Sequence, residues 1–165
     1  MKKIIALMVI MLLPLGAIAQ NTKTAYVFAQ EVMVIMPEYT EMINSINALS
    51  EGYRKELQQM EEEYRRKYTD FVNQQDSLTE NIRLRRMQEL QDMETRVETL
   101  VQAGQEEIDA KQQELIRPIQ EKLRNAIRAV GEEKKYVSII DPQALLYYSD
   151  DMEDATPFVK AKLGL

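Results

Sequence analysis

Apolar residues in the first half of the chain recur at Met42, Ile46, Leu49, Tyr53, Leu57, Met60, Tyr64, Tyr68 and Phe71. The steps run 4-3-4 and repeat, an 11-residue period close to 3.67 residues per turn, which keeps a helical seam nearly straight or slightly right-handed. A second series reads Leu90, Met93, Val97, Val101, Gly104, Ile108, Gln112, Leu115, Ile119, Leu123, Ala126 and Val130 with the same period. The pattern predicts helix over residues 37–135. One amphipathic stripe cannot bury itself, so two of them in one chain predict an antiparallel helical hairpin.

No Gly or Pro marks the turn. The local signal is Ser77-Leu78-Thr79-Glu80, a capping-box sequence, with Asp76 as an alternative cap. A turn near residues 76–80 sets Pro37 opposite Pro118, Gly52 opposite Gly104, and Tyr64 opposite Met93. Each arm then spans roughly 57 Å at 1.5 Å per residue. One unbroken helix is the alternative. Glycine inside a helix costs about 1 kcal/mol relative to alanine, so Gly52 and Gly104 at one level call for a reason. Two are open: Tyr53 packs into the missing side chain's space, or the pair is a hinge. Pro118 is expected to kink the second helix, because it loses a hydrogen bond and crowds the preceding turn.

The rest reads as a small β-rich body over residues 20–36 and 131–165, with the arm over 37–130. Residues 24–28, 136–140 and 144–148 are β-branched and aromatic and read as three strands. Gly131 and the charged run after it separate the long helix from the second strand. A terminal helix is expected to open with Thr156 as N-cap and Pro157 as its first residue. About fifty residues outside the arm bury too little apolar surface to stand alone, so self-association is expected.

Lys2 and Lys3 precede an apolar run over residues 4–13, then Pro14, Gly16 and Ala17-Ile18-Ala19. This is the form of a cleaved export signal over residues 1–19, cut after Ala19. The run falls short of the ~20 residues of a membrane span, and an uncleaved anchor is the alternative. There is no cysteine and no histidine. That excludes disulfides, a lipidated cysteine, thiolate chemistry and the commonest acid/base and metal ligand. Glu61-Glu62-Glu63 and Asp150-Asp151 read as solvated runs, and no phosphate-binding loop appears. The pattern indicates no enzyme and no cofactor.

The net charge is −6, and loss of the two leader lysines makes it more negative still. That opposes general nucleic-acid binding, which needs cations against phosphates. Residues 64–87 nevertheless carry Arg65, Arg66, Lys67, Arg83, Arg85 and Arg86 against three acids, whereas residues 88–116 carry eight acids against Arg96 and Lys111. The charges give either a basic tip on acidic shafts or simply solvated helix faces.

In this order, Ala25-Tyr26-Val27-Phe28, Arg117-Pro118-Ile119, Tyr136-Val137-Ser138-Ile139-Ile140-Asp141, Leu145-Leu146-Tyr147 and Asp154-Ala155-Thr156 resemble the Skp/OmpH family of periplasmic chaperones for outer-membrane proteins. The likeness spans nearly all of the chain after the leader. It implies an α+β, mainly α, fold: a homotrimer whose strands build a small β-barrel body, with long antiparallel coiled-coil arms around a cavity. It implies an ATP-independent holdase for unfolded outer-membrane proteins in the periplasm. The better-known members are strongly basic. This chain is acidic, so transient contact with a membrane surface would fall to the tip alone.

Client contacts are expected off the stripe near the tip, at Val72, Leu84 and Met87, and at the six tip cations. Tyr53, Tyr64 and Met93 are assigned to the seam. Tyr26, Phe28, Val137, Ile139, Leu145 and Tyr147 are expected in the oligomer body. The rival reading is an envelope coiled-coil spacer or adaptor that holds no unfolded protein. A chaperone of the same fold with other clients is a third.

Overall fold

The computed structural model describes residues 23–165, so the expected export signal lies outside the described residues. The elements are β1 (Thr24–Tyr26), α1 (Ala29–Val34), α2 (Pro37–Gln74), α3 (Glu80–Lys134), β2 (Ser138–Ile140), β3 (Glu153–Asp154) and α4 (Thr156–Leu163), with 3₁₀ turns at Gln75–Ser77 and Pro142–Ala144. The fold is mainly helical with one small sheet. It divides into two compact units, Met33–Lys122 and the described part of Met1–Val32 with Leu123–Leu165.

In the first unit α2 and α3 form a hairpin. Pro37 opens α2 after an extended Met36 (φ −68°, ψ 135°), the placement that proline's fixed φ favours. The chain turns through Gln75–Ser77 and an extended Leu78. The Ser77 hydroxyl does not cap the second helix as expected. It donates to the Gln74 carbonyl at 2.8 Å and closes the first helix instead. Helix α3 starts two residues later than such a cap would place it, with Arg83 N–H donating to the Thr79 carbonyl at 2.9 Å.

Cross-hairpin contacts join Tyr53 to Glu107, Tyr64 to Glu94, Lys67 to Glu89 and Lys122 to Glu38, pairs symmetric about residues 78–80. Met42, Leu90, Met93 and Ile119 are buried, while the seam between them is half-exposed, because two helices alone cover only one stripe of each other. Three seam positions differ from the pattern read in the sequence. Tyr68, Val101 and Gln112 face solvent, and Lys67, Leu100 and Lys111 take their places. In each case a four-residue step overshoots the ~3.6-residue turn, and the helix presents the residue before it. Helix α3 runs unbroken through Pro118 and on past Gly131. It ends at Lys135, whose φ of 58° is left-handed. Tyr136 N–H donates to Gly131 O (2.9 Å) and Lys135 N–H to Glu132 O (3.3 Å), a complete Schellman stop made without glycine.

In the second unit the sheet order is β2-β1-β3, and both pairings are parallel. Ala25 lies between Ile139 and Glu153, and Tyr26 between Ile140 and Asp154. The third strand is therefore not the expected Leu145–Tyr147 segment. After Asp141, whose side chain accepts from Gln143 N–H at 3.0 Å, the 3₁₀ turn redirects the chain, and the polar Glu153–Asp154 pair completes the sheet. Helix α4 also starts differently. The Asp154 carboxylate accepts the Thr156 N–H at 2.8 Å, and the Thr156 hydroxyl accepts from Phe28 N–H at 3.2 Å. Thr156 thus ties the segment after β1 to the start of α4 rather than capping. Ala25, Val27, Val32, Leu123, Ala126, Val130, Ala155 and Val159 form this unit's core.

Candidate functional site

The seam fixes which faces of the two long helices are covered, and the remaining faces are open to solvent. At the turn end, Val72, Leu84 and Met87 are 43%, 54% and 51% exposed. Ile82 is also exposed in this stretch, but two four-residue steps back from Leu90 place it on the stripe, next to Phe71 and Leu90. Large apolar groups kept in water are ordinary singly; here four fall within sixteen residues of the chain around the turn.

The six cations of this region differ in their attachments. Lys67 donates to Glu89 across the hairpin and lies 3.6 Å from Glu63; Arg83 pairs with Glu80 one turn earlier. Arg86 donates to the Gln74 amide oxygen at 3.2 Å. Arg65, Arg66 and Arg85 have no ion pair among the described residues. A polar concavity of about 470 Å³ brings together Lys67, Arg85 and Arg86 with Phe71, Ile82 and Glu89. Its hydrogen bond to Glu89 holds the Lys67 ammonium above its usual pKa, and the same bond holds the Glu89 carboxyl below its own.

Further along the hairpin is a second concavity of about 510 Å³, lined by Glu61, Tyr64, Arg65, Tyr68, Glu94, Val97 and Glu98. The rings of Tyr64 and Tyr68, one helical turn apart, stack with centroids 6.1 Å apart and an interplanar angle of 15°. Tyr64 donates its hydroxyl to Glu94 at 2.5 Å. That bond, and then burial, push the phenol above its ordinary pKa. The apolar period puts Tyr68 on the seam, which hides this place in the sequence. The Tyr64-x-x-x-Tyr68 spacing was the available signal. Arg66, Arg83, Val72, Leu84 and Met87 line neither concavity.

The mid-hairpin glycines are unlike each other. A Cβ on Gly104 would sit 2.9 Å from Tyr53 Cδ1 and 3.0 Å from its Cγ, so the ring lies directly on the glycine, while its hydroxyl donates to Glu107. A Cβ on Gly52 would meet nothing within 4 Å. In the sheet unit, Tyr26, Phe28, Ile139 and Leu145 are half-buried, and Tyr26 packs edge-on against Phe28. Val137 and Tyr147 are exposed, and so, completely, is Leu146. A concavity of about 760 Å³ gathers Leu145 and Tyr147 with Ile140 and Tyr148. Among the described residues no group of three or more acidic side chains could hold a metal ion, and no helix is long and apolar enough to cross a membrane.

Comparison with the curated proteins finds no match. Among solved structures, the chain is similar to a candidate outer membrane chaperone (OmpH-like) from Caulobacter crescentus CB15. The TM-score is 0.74 at 15% identity, covering 85% of this chain and 82% of the other, a likeness of fold. The sequence profile of the family described as outer membrane protein (OmpH-like) matches residues 23–163, nearly the whole of the described chain, and the protein therefore belongs to the OmpH-like family.

Proposed function

We propose that this protein is an ATP-independent periplasmic holdase that keeps unfolded outer-membrane proteins from aggregating. The observation that carries the reading is the family match over residues 23–163, together with a long hairpin that leaves Val72, Ile82, Leu84 and Met87 in water. In this reading the sheet units of three chains join into a barrel, and the hairpins flank a cavity in which the client is held. Adaptable methionine and aliphatic side chains suit a binder that must accept many sequences. Individually weak contacts, repeated on several arms, combine into useful affinity without nucleotide. The tip cations Arg65, Arg66, Arg83, Arg85 and Arg86 with Lys67 meet acidic client segments, or briefly an anionic membrane surface. No catalytic role is proposed.

The test is light scattering after a urea-unfolded outer-membrane β-barrel is diluted into buffer with and without this protein. Running it at about 50 mM and about 300 mM salt separates exposed charge from apolar contact, since the Debye length falls with ionic strength. Aggregation suppressed to saturation near one oligomer per client is expected. No suppression at several-fold excess would sink the holdase and leave the envelope spacer in its place.

A further inference from the structure

The groove at Tyr64 and Tyr68 has a chemistry opposite to that of the basic tip. It is lined by two stacked phenol rings and Val97. Three carboxylates, Glu61, Glu94 and Glu98, line it as well, against one cation, Arg65. Glu94 is held by the Tyr64 hydroxyl, which also fixes that ring in place. Glu61 and Glu98 have no ion pair among the described residues, and the Tyr68 side chain is half exposed. An aromatic face beside free carboxylates favours a group that is flat, cationic and rich in N–H donors.

We propose that this groove receives arginine side chains of unfolded client segments, the guanidinium lying on the tyrosine rings and donating to Glu61 or Glu98. A guanidinium stacks on an aromatic face and pairs with a carboxylate in one plane, which an ammonium cannot do. An acidic side chain would be repelled, and an aliphatic one would leave the carboxylates desolvated without a partner. The proposal rests on the holdase reading and deepens it. A chain of net charge −6 then has a means of holding clients that does not rely on its basic tip. One such contact is weak and exchanges readily, which a holdase that must release its client requires.

Fluorescence anisotropy with labelled unstructured peptides tests it on the purified protein. The peptides share one Gly/Ser/Leu framework and carry Arg, Lys or Glu at the same positions. Binding is expected in the order Arg, Lys, Glu, with about tenfold between the extremes. Tyr68→Ala and the paired change Glu61→Gln/Glu98→Gln, all at exposed positions, should each erase most of the Arg preference with helical circular dichroism unchanged. Arg65→Ala should strengthen Arg-peptide binding. Equal affinities for the Arg and Glu peptides, or a Tyr68→Ala protein that binds like wild type, would overturn the proposal. If wild type still suppressed β-barrel aggregation in that case, the groove alone would fall. If wild type suppressed nothing, the holdase reading and the groove's role would fall together.

Discussion

Single residues decide whether the two long helices can lie close. Gly104 is required by the ring above it: any Cβ there meets Tyr53 at the root of its ring, which cannot swing away without losing its bond to Glu107. Gly52 occupies open space, and its backbone is ordinary helix. In the sequence the pair shared two open accounts, Tyr53 in the missing side chain's space or a hinge; in the structure the ring meets Gly104 alone. Opposite outcomes follow. Gly104→Ala gains about 1 kcal/mol of helix propensity but overpacks the seam by about 1–3 kcal/mol, so it should lower the thermal midpoint. Gly52→Ala gains the propensity and meets nothing, so it should raise the midpoint. Adding Tyr53→Ala to Gly104→Ala should remove the overpacking penalty, the coupling expected of residues in contact. Thermal unfolding followed by circular dichroism checks all three; equal shifts for both glycines would refute the packing account.

At the scale of elements, the hairpin is held by a thin apolar seam reinforced by polar rungs. The hydrogen bond from Lys122 lowers the Glu38 carboxyl below its usual pKa, as that from Lys67 does at Glu89. A carboxyl whose folded pKa is depressed stabilises the fold above its unfolded pKa of 4.5, and that contribution is lost as pH falls through the folded value. Melting of wild type should therefore fall between neutral pH and pH below 4.5. A Glu38→Gln/Glu89→Gln variant should lose much of that slope and converge with wild type in acid. Glu89 is exposed and Glu38 half-exposed, so the effect should be modest and shrink in high salt. Parallel slopes for the two proteins would show that the rungs are decorative. The helices were legible in the sequence because their periodicity extends over dozens of residues, and Pro37 marks a start that the fold uses. The third strand was not. Glu153–Asp154 is two residues long and polar and joins the sheet by backbone pairing with Ala25 and Tyr26, so no apolar pattern could reveal it. Residues 144–148 have strand composition, but the 3₁₀ turn at Pro142–Ala144 leads them out of the sheet. The tyrosine groove was hidden for a similar reason: a one-residue choice of seam turned Tyr68 from core into surface.

For the molecule as a whole, the sheet unit presents a problem that a single chain does not solve. Three parallel strands of three, three and two residues make a small sheet, and among the described residues no strand pairs with the outer edges of β2 and β3. The same unit leaves Val137 68% exposed, Tyr147 82% exposed and Leu146 wholly in water. Burying a large apolar side chain yields about 1.5–3 kcal/mol, so three per protomer supply a strong drive toward association. The proposed homotrimer uses that drive: strand edges pair and these side chains leave water together. A Leu146→Asp/Tyr147→Asp protein should then sediment at a mass well below that of wild type, which is expected near three protomers. Its hairpin should persist, because the rungs from Tyr53 to Glu107 and from Lys67 to Glu89 lie within one chain. Helical circular dichroism should accordingly be largely retained while suppression of β-barrel aggregation is lost, since arms that are no longer gathered lose their multivalency. An unchanged mass would place the interface elsewhere on the unit. A lowered mass with full suppression would mean that one hairpin suffices to hold a client, and the cavity would have no part in function.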